Sequence, residues 1–158
     1  MDAVTVARFL SIPTTFLMAG YSISASQSTL PIIYDQPASV SLKVFEGVYK
    51  KGAILVVPGA ILSATAMGYL AYVYPEQRKA YGAAAAVTLT WLPFTTLFMF
   101  KGINRLLEIG GSSVETQKAE QSGEVLTLLK AWAFQNALRG MLAFVGGSVT
   151  LLTSLGKA

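Results

Sequence analysis

Four long apolar stretches constrain the fold more than any other feature of this 158-residue chain. Each comes close to the roughly 20 residues that a helix needs to cross a bilayer. In the hydrocarbon region a helix satisfies its backbone hydrogen bonds internally. The lengths therefore predict an all-α integral membrane protein, a multi-pass four-helix bundle that forms one transmembrane domain over residues 1–158. The predicted spans are about 4–30, 52–74, 81–102 and 125–155.

The low charge content supports the membrane interpretation. Only 13% of the residues are charged, about half of the roughly 25% in an average soluble chain, so the chain cannot cover a globule with charge. The net charge of +4 comes mostly from short connecting segments. This suits an anionic membrane surface better than nucleic acid. We expect the lipid bilayer as a partner, no nucleic acid, and an intracellular membrane as the location.

The connecting segments predict the topology. Residues 31–51 and 103–124 are predicted loops, and residues 75–80 form a tight turn between antiparallel spans. The two longer loops carry most of the Lys and Arg residues, whereas Arg78, Lys79 and Lys157 lie on the other side. The positive-inside bias then places both loops in the cytoplasm and both termini across the membrane.

Small residues and prolines predict how the spans pack. In lipid, helices approach closely through small residues, so we expect packing surfaces, or contacts in a homo-oligomer, at three stripes. Each of three spans also contains a proline that is expected to kink its helix; such kinks either open a pocket or are ordinary irregularities. The stripes are Gly20, Ser24 and Ser28; Ala60, Ala64 and Gly68; and Gly140, Ala143, Gly146 and Gly147; the prolines are Pro13, Pro58 and Pro93.

The chain contains neither His nor Cys. It therefore lacks a thiolate nucleophile, the Cys ligands of zinc and iron–sulfur sites, and the commonest general base. It also lacks the glycine-rich and nucleophile-elbow motifs of nucleotide-binding enzymes and serine hydrolases. We expect no metal site and no organic cofactor.

A polar cluster in the fourth span is the strongest candidate for chemistry. Trp132, Gln135, Asn136 and Arg139 are related by steps of three and four residues, which are typical of one helical face. A cation at the bilayer centre costs about 2.5–3.5 kcal/mol even on the lenient insertion scale. Arg139 must therefore face the bundle interior or a wet cavity. It either links helices by binding backbone carbonyls, or it belongs to a functional cavity.

Few residues are available as partners of this cluster. Asn104 lies at the end of the third span, and Glu46 and Asp35 lie in the first predicted loop, from which they could fold over the bundle. Each acidic residue is otherwise a solvated loop charge.

Short motifs in three spans resemble a known family. The second span opens with Tyr49-x-x-Gly52 and then Pro58, the third carries Trp91-x-Pro93-Phe94-Thr95 and Asn104, and the fourth carries Trp132-x-x-x-Asn136-x-x-Arg139. With four spans in a chain of this length, the sequence is similar to the small integral membrane proteins of the anthrone oxygenase-like family. The resemblance implies a four-helix membrane bundle. Some members oxidise an anthrone to an anthraquinone with O₂ and no known cofactor, in fungal polyketide pathways.

The resemblance implies a cofactor-independent monooxygenase that acts on a lipophilic aromatic small molecule, with O₂ as co-substrate. Such an enzyme must bind a flat ring system, remove a proton and stabilise the resulting oxyanion. Arg139, Asn136 and Asn104 are the predicted oxyanion donors. The general base stays open between Glu46, Asp35 and a tyrosine. The predicted substrate-binding residues are Trp91, Phe94, Thr95, Trp132, Gln135 and Tyr49.

Two other functions fit the same residues. A non-enzymatic tetraspan, an assembly or accessory subunit, would use the polar cluster as internal glue and would pack solidly around Arg139. A cofactor-free cyclase or isomerase would use the same pocket for another lipophilic substrate. An aromatic-lined cavity beside Arg139 would favour either enzyme over the tetraspan.

Overall fold

The computed structural model describes residues 1–156, and all regular secondary structure in that range is helical. Four helices are long and apolar enough to cross a membrane, so the predicted all-α helical bundle is confirmed. Lys157, which entered the topology prediction, lies outside the described residues. Numbered in chain order, the helices are α1 (Ala3–Ile32), α2 (Ala38–Val73), α3 (Pro75–Gly110), α4 (Ser113–Gln121) and α5 (Glu124–Leu155).

The helices continue well beyond the apolar stretches. The prediction of a loop over residues 31–51 is wrong for most of its length, because α2 begins at Ala38. Leu42 and Phe45 are buried there while Lys43 and Lys50 are exposed. This is the pattern of an amphipathic helix, so the extension carries too few apolar residues to register as part of a span.

The short helix α4 and an ion pair between Arg105 and Glu124 connect the helices at the end of the bundle where α2 begins. The Glu120 carboxylate of α4 accepts a 2.9 Å hydrogen bond from the Ala38 backbone N–H, at the first residue of α2. Arg105 of α3 donates to both carboxylate oxygens of Glu124, from Nε at 2.8 Å and from Nη2 at 3.1 Å. The bidentate geometry fixes the start of α5 against the end of α3.

Glycines on α5 allow close helix contacts. A Cβ added at Gly147 would lie 2.5 Å from the Thr15 hydroxyl of α1, and one at Gly140 would lie 3.1 Å from the Ser22 Cβ. Gly146 packs in the same way against Thr88 of α3. The predicted small-residue packing surface of the fourth span is therefore confirmed.

The first span does not pack against the other helices of this chain through its predicted stripe. Gly20, Ser24 and Ser28 are exposed, and nothing lies within 4 Å of a Cβ added at Gly20. A second stripe of small polar residues is buried instead. The hydroxyls of Ser11, Thr15 and Ser26 bond to the preceding turn of the same helix, as in the 2.9 Å bond from Thr15 Oγ1 to the Ser11 carbonyl. The Ser22 hydroxyl has no hydrogen-bond partner among the described residues. The buried stripe comprises Ser11, Thr15, Ser22 and Ser26.

On α2, two members of the predicted stripe, Ala60 and Ala64, are buried. Gly68 is exposed, and nothing lies within 4 Å of a Cβ added there. The predicted stripe therefore faces its neighbours over only part of its length.

Two membrane helices contain irregular turns at the same level of the bundle. α1 has a π-helical turn at Ala25–Thr29, and α3 has one at Thr95–Met99. In α3 the helix is also interrupted at Thr90, three residues before Pro93, whose missing N–H cannot bond to the Leu89 carbonyl. Such π turns are frequent at functional sites. The turn in α3 carries Thr95 of the cavity described below, and the turn in α1 carries Ser26, which accepts a hydrogen bond from the cavity residue Asn136.

We expect Gly147→Ala to destabilise the bundle, because the added methyl group would clash with Thr15 on the neighbouring helix. Overpacking of this kind typically costs about 1–3 kcal/mol. Gly20→Ala is the matched control, since its methyl group meets open space. Thermal unfolding in detergent should show a lower midpoint for Gly147→Ala and an unchanged or higher one for Gly20→Ala. Equal midpoints would contradict the described contact between α1 and α5.

Candidate functional site

A cavity of about 240 Å³ lies between α1, α2, α3 and α5. Its wall is mostly apolar and aromatic, with a small polar group at one side. Both tryptophans of the chain, Trp91 and Trp132, line it, together with Tyr21 and Tyr49. A concave apolar site with a few convergent polar groups is the usual form of a small-molecule binding site.

Arg139 is the charged group of the cavity, and only 6% of its surface is exposed. Its Nη1 donates a 2.7 Å hydrogen bond to the Thr95 hydroxyl, and its Nη2 donates to the Asn136 side-chain oxygen. The guanidinium carbon lies 3.8 Å from the centroid of the Trp91 ring, a cation–π contact. Its Nε has no hydrogen-bond partner in the described structure. The groups that hold the guanidinium are all neutral.

Asn136 connects the guanidinium to α1. Its side-chain nitrogen donates to the Ser22 carbonyl at 2.8 Å and to the Ser26 hydroxyl at 2.9 Å. The Ser26 hydroxyl in turn donates to the Ser22 carbonyl at 2.8 Å. Because these bonds occupy the amide nitrogen, they direct the amide oxygen towards Arg139.

The irregular part of α3 positions the other two contacts of Arg139. Thr95 is the first residue of the π-helical turn, and its hydroxyl donates to the Trp91 carbonyl at 2.9 Å while it accepts from Arg139. Trp91 follows directly after the interruption at Thr90. The break and the π turn together present the indole ring and the hydroxyl to the same guanidinium.

Aromatic side chains pack behind the cavity wall. Phe45 meets Trp132 edge to face at 5.3 Å and stacks on Tyr49 at 6.2 Å between ring centroids. Tyr21 donates a 2.8 Å hydrogen bond to the Val48 carbonyl, across the groove between α1 and α2. These contacts fix the ring planes that a flat ligand would meet.

The cavity opens between α2 and α3. Val57 on one side and Thr96 and Phe100 on the other line the cavity while they are exposed on the outer surface of the bundle. Both helices are long and apolar enough to cross a membrane. In a bilayer this mouth would face lipid rather than water.

Six of the ten residues predicted for the site lie together around this cavity, and four do not. The cavity residues are Arg139, Asn136, Trp91, Thr95, Trp132 and Tyr49. The structure places the others elsewhere: Glu46, Asn104, Phe94 and Gln135.

The positions of these four residues correct the sequence prediction. Glu46 forms an ion pair with Lys50 on the outer face of α2, so it does not fold over the bundle. Asn104 and Gln135 line a separate surface depression, where Gln135 donates to the Phe98 carbonyl at 3.2 Å. Gln135 is adjacent to Asn136, and one residue step turns a side chain by about 100° around a helix. Phe94 packs against Phe98, with 5.0 Å between ring centroids.

The other candidate base in the first loop, Asp35, is exposed in the short connection between α1 and α2 and lines a surface depression separate from this cavity.

Sequence reasoning missed the contribution of α1, namely Tyr21, Ser22 and Ser26. The signal was the polar second half of the first span, which is unusual for a lipid-facing helix. Spacing alone could not show which of its polar residues turn inward. Within residues 1–156, no group of three or more acidic side chains is arranged to hold a metal ion.

Comparisons with known proteins identify one family. The family model described as "Anthrone oxygenase" matches residues 45–149. Anthrone oxygenase encC of Aspergillus fumigatus is 30% identical over 126 residues, which cover 72% of this chain and 70% of that protein. No solved structure matches the chain. The family match includes the cavity residues of α2, α3 and α5 and excludes those of α1.

We expect Gly52→Ala to disturb the cavity wall. A Cβ at this position would lie 2.7 Å from the Tyr21 ring, so Tyr21 must move and its hydrogen bond to Val48 is lost. The lost hydrogen bond alone is worth about 1 kcal/mol. Gly47→Ala, one turn earlier on the same helix, meets no atom within 4 Å and is the matched control. Thermal unfolding should separate the two variants, and an unaffected Gly52→Ala protein would show that Tyr21 is not held as described.

Proposed function

Because the chain belongs to the anthrone oxygenase family, we propose that it is a membrane-embedded oxygenase that uses O₂ to oxidise an anthrone-type aromatic substrate without a cofactor. The observation that carries this proposal is a buried guanidinium, bonded only to neutral groups, at the side of an aromatic-lined cavity. A tetraspan that used Arg139 as internal glue would be expected to pack solidly around it. The cavity supports a ligand-binding role instead.

The proposed reaction converts the CH₂ group of the central ring into a carbonyl group. One O₂ is consumed: one oxygen atom enters the ring as C=O, and the other leaves as water with the two hydrogen atoms. An anthrone ionises to an enolate, an electron-rich phenolate that can react with O₂ directly. The protein therefore needs to hold the ring system, stabilise the enolate oxygen and admit O₂.

The cavity residues match these requirements. Arg139 would donate to the enolate oxygen, and preorganised donors of this kind act strongly where water is excluded. Asn136 and Thr95 fix the guanidinium, so it need not reorganise when charge develops on the substrate. Trp91, Trp132 and Tyr49 provide flat apolar surfaces for the rings. The mouth between α2 and α3 would admit a lipophilic substrate from the bilayer.

A third prediction concerns Arg139. We expect Arg139→Lys to reduce turnover by about 10²–10³-fold, the usual effect of losing one oxyanion donor, because an ammonium group cannot reproduce the planar fork of donors. Turnover of an anthrone per folded molecule should be measured beside the melting temperature in detergent. Lys101 lines the separate surface depression together with Asn104 and Gln135, so Lys101→Gln should retain activity.

Arg139→Gln is a second variant for the same test. If Arg139 is structural glue, both Arg139 variants should lose yield and thermal stability together while the surviving folded molecules keep normal turnover. That result would contradict the catalytic role of Arg139 and favour the non-enzymatic tetraspan.

A fourth prediction concerns cofactors. Purified protein should oxidise an anthrone after treatment with chelators and without added flavin or haem, because the enolate supplies the electrons for O₂. Elemental analysis and visible absorbance of the active preparation check this. A stoichiometric metal or chromophore whose removal abolishes turnover, and whose return restores it, would contradict the proposal.

A further inference from the structure

The cavity holds a positive charge that no described residue of its wall neutralises. We infer that the cavity binds its substrate as an anion, so that binding itself ionises the substrate and the chain supplies no carboxylate base. This inference rests on the proposed function and deepens it. It also answers the question of the general base, which the sequence left open.

Each helix contributes few titratable groups to the cavity around Arg139. Among the described residues that line the cavity, α1 contributes one titratable group, Tyr21, and α2 contributes one, Tyr49. α3 contributes none, and α5 contributes only Arg139. Glu46, the nearest sequence candidate for a base, is paired with Lys50 outside the cavity. The part of the wall that the structure describes therefore carries one cation and no carboxylate.

A buried charge without a counter-ion is costly, because it has left water and no opposite charge compensates it. The neutral acceptors Thr95 and Asn136 and the Trp91 ring offset part of that cost. A bound anion would offset the rest, whereas a neutral ligand would leave the cation uncompensated and still exclude water from it. The cavity is therefore expected to prefer the ionised form of a substrate over its neutral form.

Unpaired hydrogen-bonding groups point to the same ligand chemistry. Arg139 Nε, Trp91 Nε1, Trp132 Nε1 and Ser22 Oγ are buried without a hydrogen-bond partner in the described structure, and their residues all line the cavity. The three nitrogens can only donate. Donor groups without acceptors call for a ligand with oxygen atoms, and a cation among them calls for negative charge on one of those atoms.

The ionisation step balances without a protein base. The enol form of an anthrone loses the proton of its O–H bond to bulk water at the membrane surface, and the electron pair stays on the oxygen and spreads over the rings. Binding of the anion in the cavity draws this equilibrium towards the ionised form. That oxygen then accepts a hydrogen bond from Arg139. The enolate so bound is the species that reacts with O₂ in the proposed function.

The test uses a hydroxyanthraquinone, which already carries the carbonyl group and whose visible absorption differs between its neutral and ionised forms. Binding to the full chain in detergent is followed separately by quenching of Trp91 and Trp132, the only tryptophans of the sequence. A nearby opposite charge favours ionisation, so the acid dissociation constant of the bound probe should exceed that in protein-free micelles by about 10–1000-fold. Lys101→Gln should keep the full increase.

Two variants assign the effect to Arg139. Asn136→Asp places a carboxylate beside the guanidinium and makes the cavity neutral, so the bound probe should ionise nearly as it does in empty micelles. Arg139→Gln should do the same, and Asn136→Asp keeps the assignment testable if Arg139→Gln does not fold.

A wild-type protein that binds the probe with an unchanged dissociation constant would overturn this inference and leave the proposed function standing. An increase that survives in both folded variants would also overturn the inference. Failure to bind the probe at any pH would overturn the inference and the proposed function together.

Discussion

The burial of the Arg139 guanidinium is the constraint on which the rest of the structure depends. A cation inside a membrane-spanning bundle is tolerated only if surrounding groups stabilise it. Here they come from three helices: Thr95 and Trp91 on α3, Asn136 on α5 itself, and through Asn136 the serines of α1. The same residue that requires these contacts also supplies the one charge among the described residues of the cavity wall.

Backbone irregularity and small residues make this arrangement possible. The π-helical turns of α1 and α3 bring Ser26 and Thr95 to the level of Asn136 and Arg139. Gly140, one residue after Arg139, packs against Ser22 and Ile23. A larger residue at that position would move α1 away, and the Asn136 bond to the Ser22 carbonyl would be lost. The polar contacts and the close helix packing therefore depend on each other.

The sequence predicted the parts of the molecule that are set by local patterns. The lengths of the apolar stretches predicted the four long helices. The cost of burying an Arg in a membrane predicted that Arg139 lies in the interior of the bundle. Periodicity brought Trp132, Asn136 and Arg139 to one face. Adjacent polar positions on a helix were harder to assign to the site. Gln135 is polar and next to Asn136, but its side chain lies in a different depression.

What could not be predicted depends on contacts between distant segments. Two stripes of small polar residues on α1 have similar spacing, and only the packing of α5 decides that Ser22 and Ser26 are the buried ones. Glu46 seemed able to reach the site only because residues 31–51 were predicted to form a loop. In the amphipathic extension of α2 it is held one turn from Lys50.

The most direct measurement of the central claim is an experimental structure of the full chain in lipid with a bound hydroxyanthraquinone. The ring system should lie between Trp91, Trp132 and Tyr49, with one of its oxygen atoms within hydrogen-bond distance of Arg139. A ligand seated in the depression of Lys101 and Asn104, or a bundle in which side chains fill the space beside Arg139, would contradict the assignment of this cavity as the substrate site.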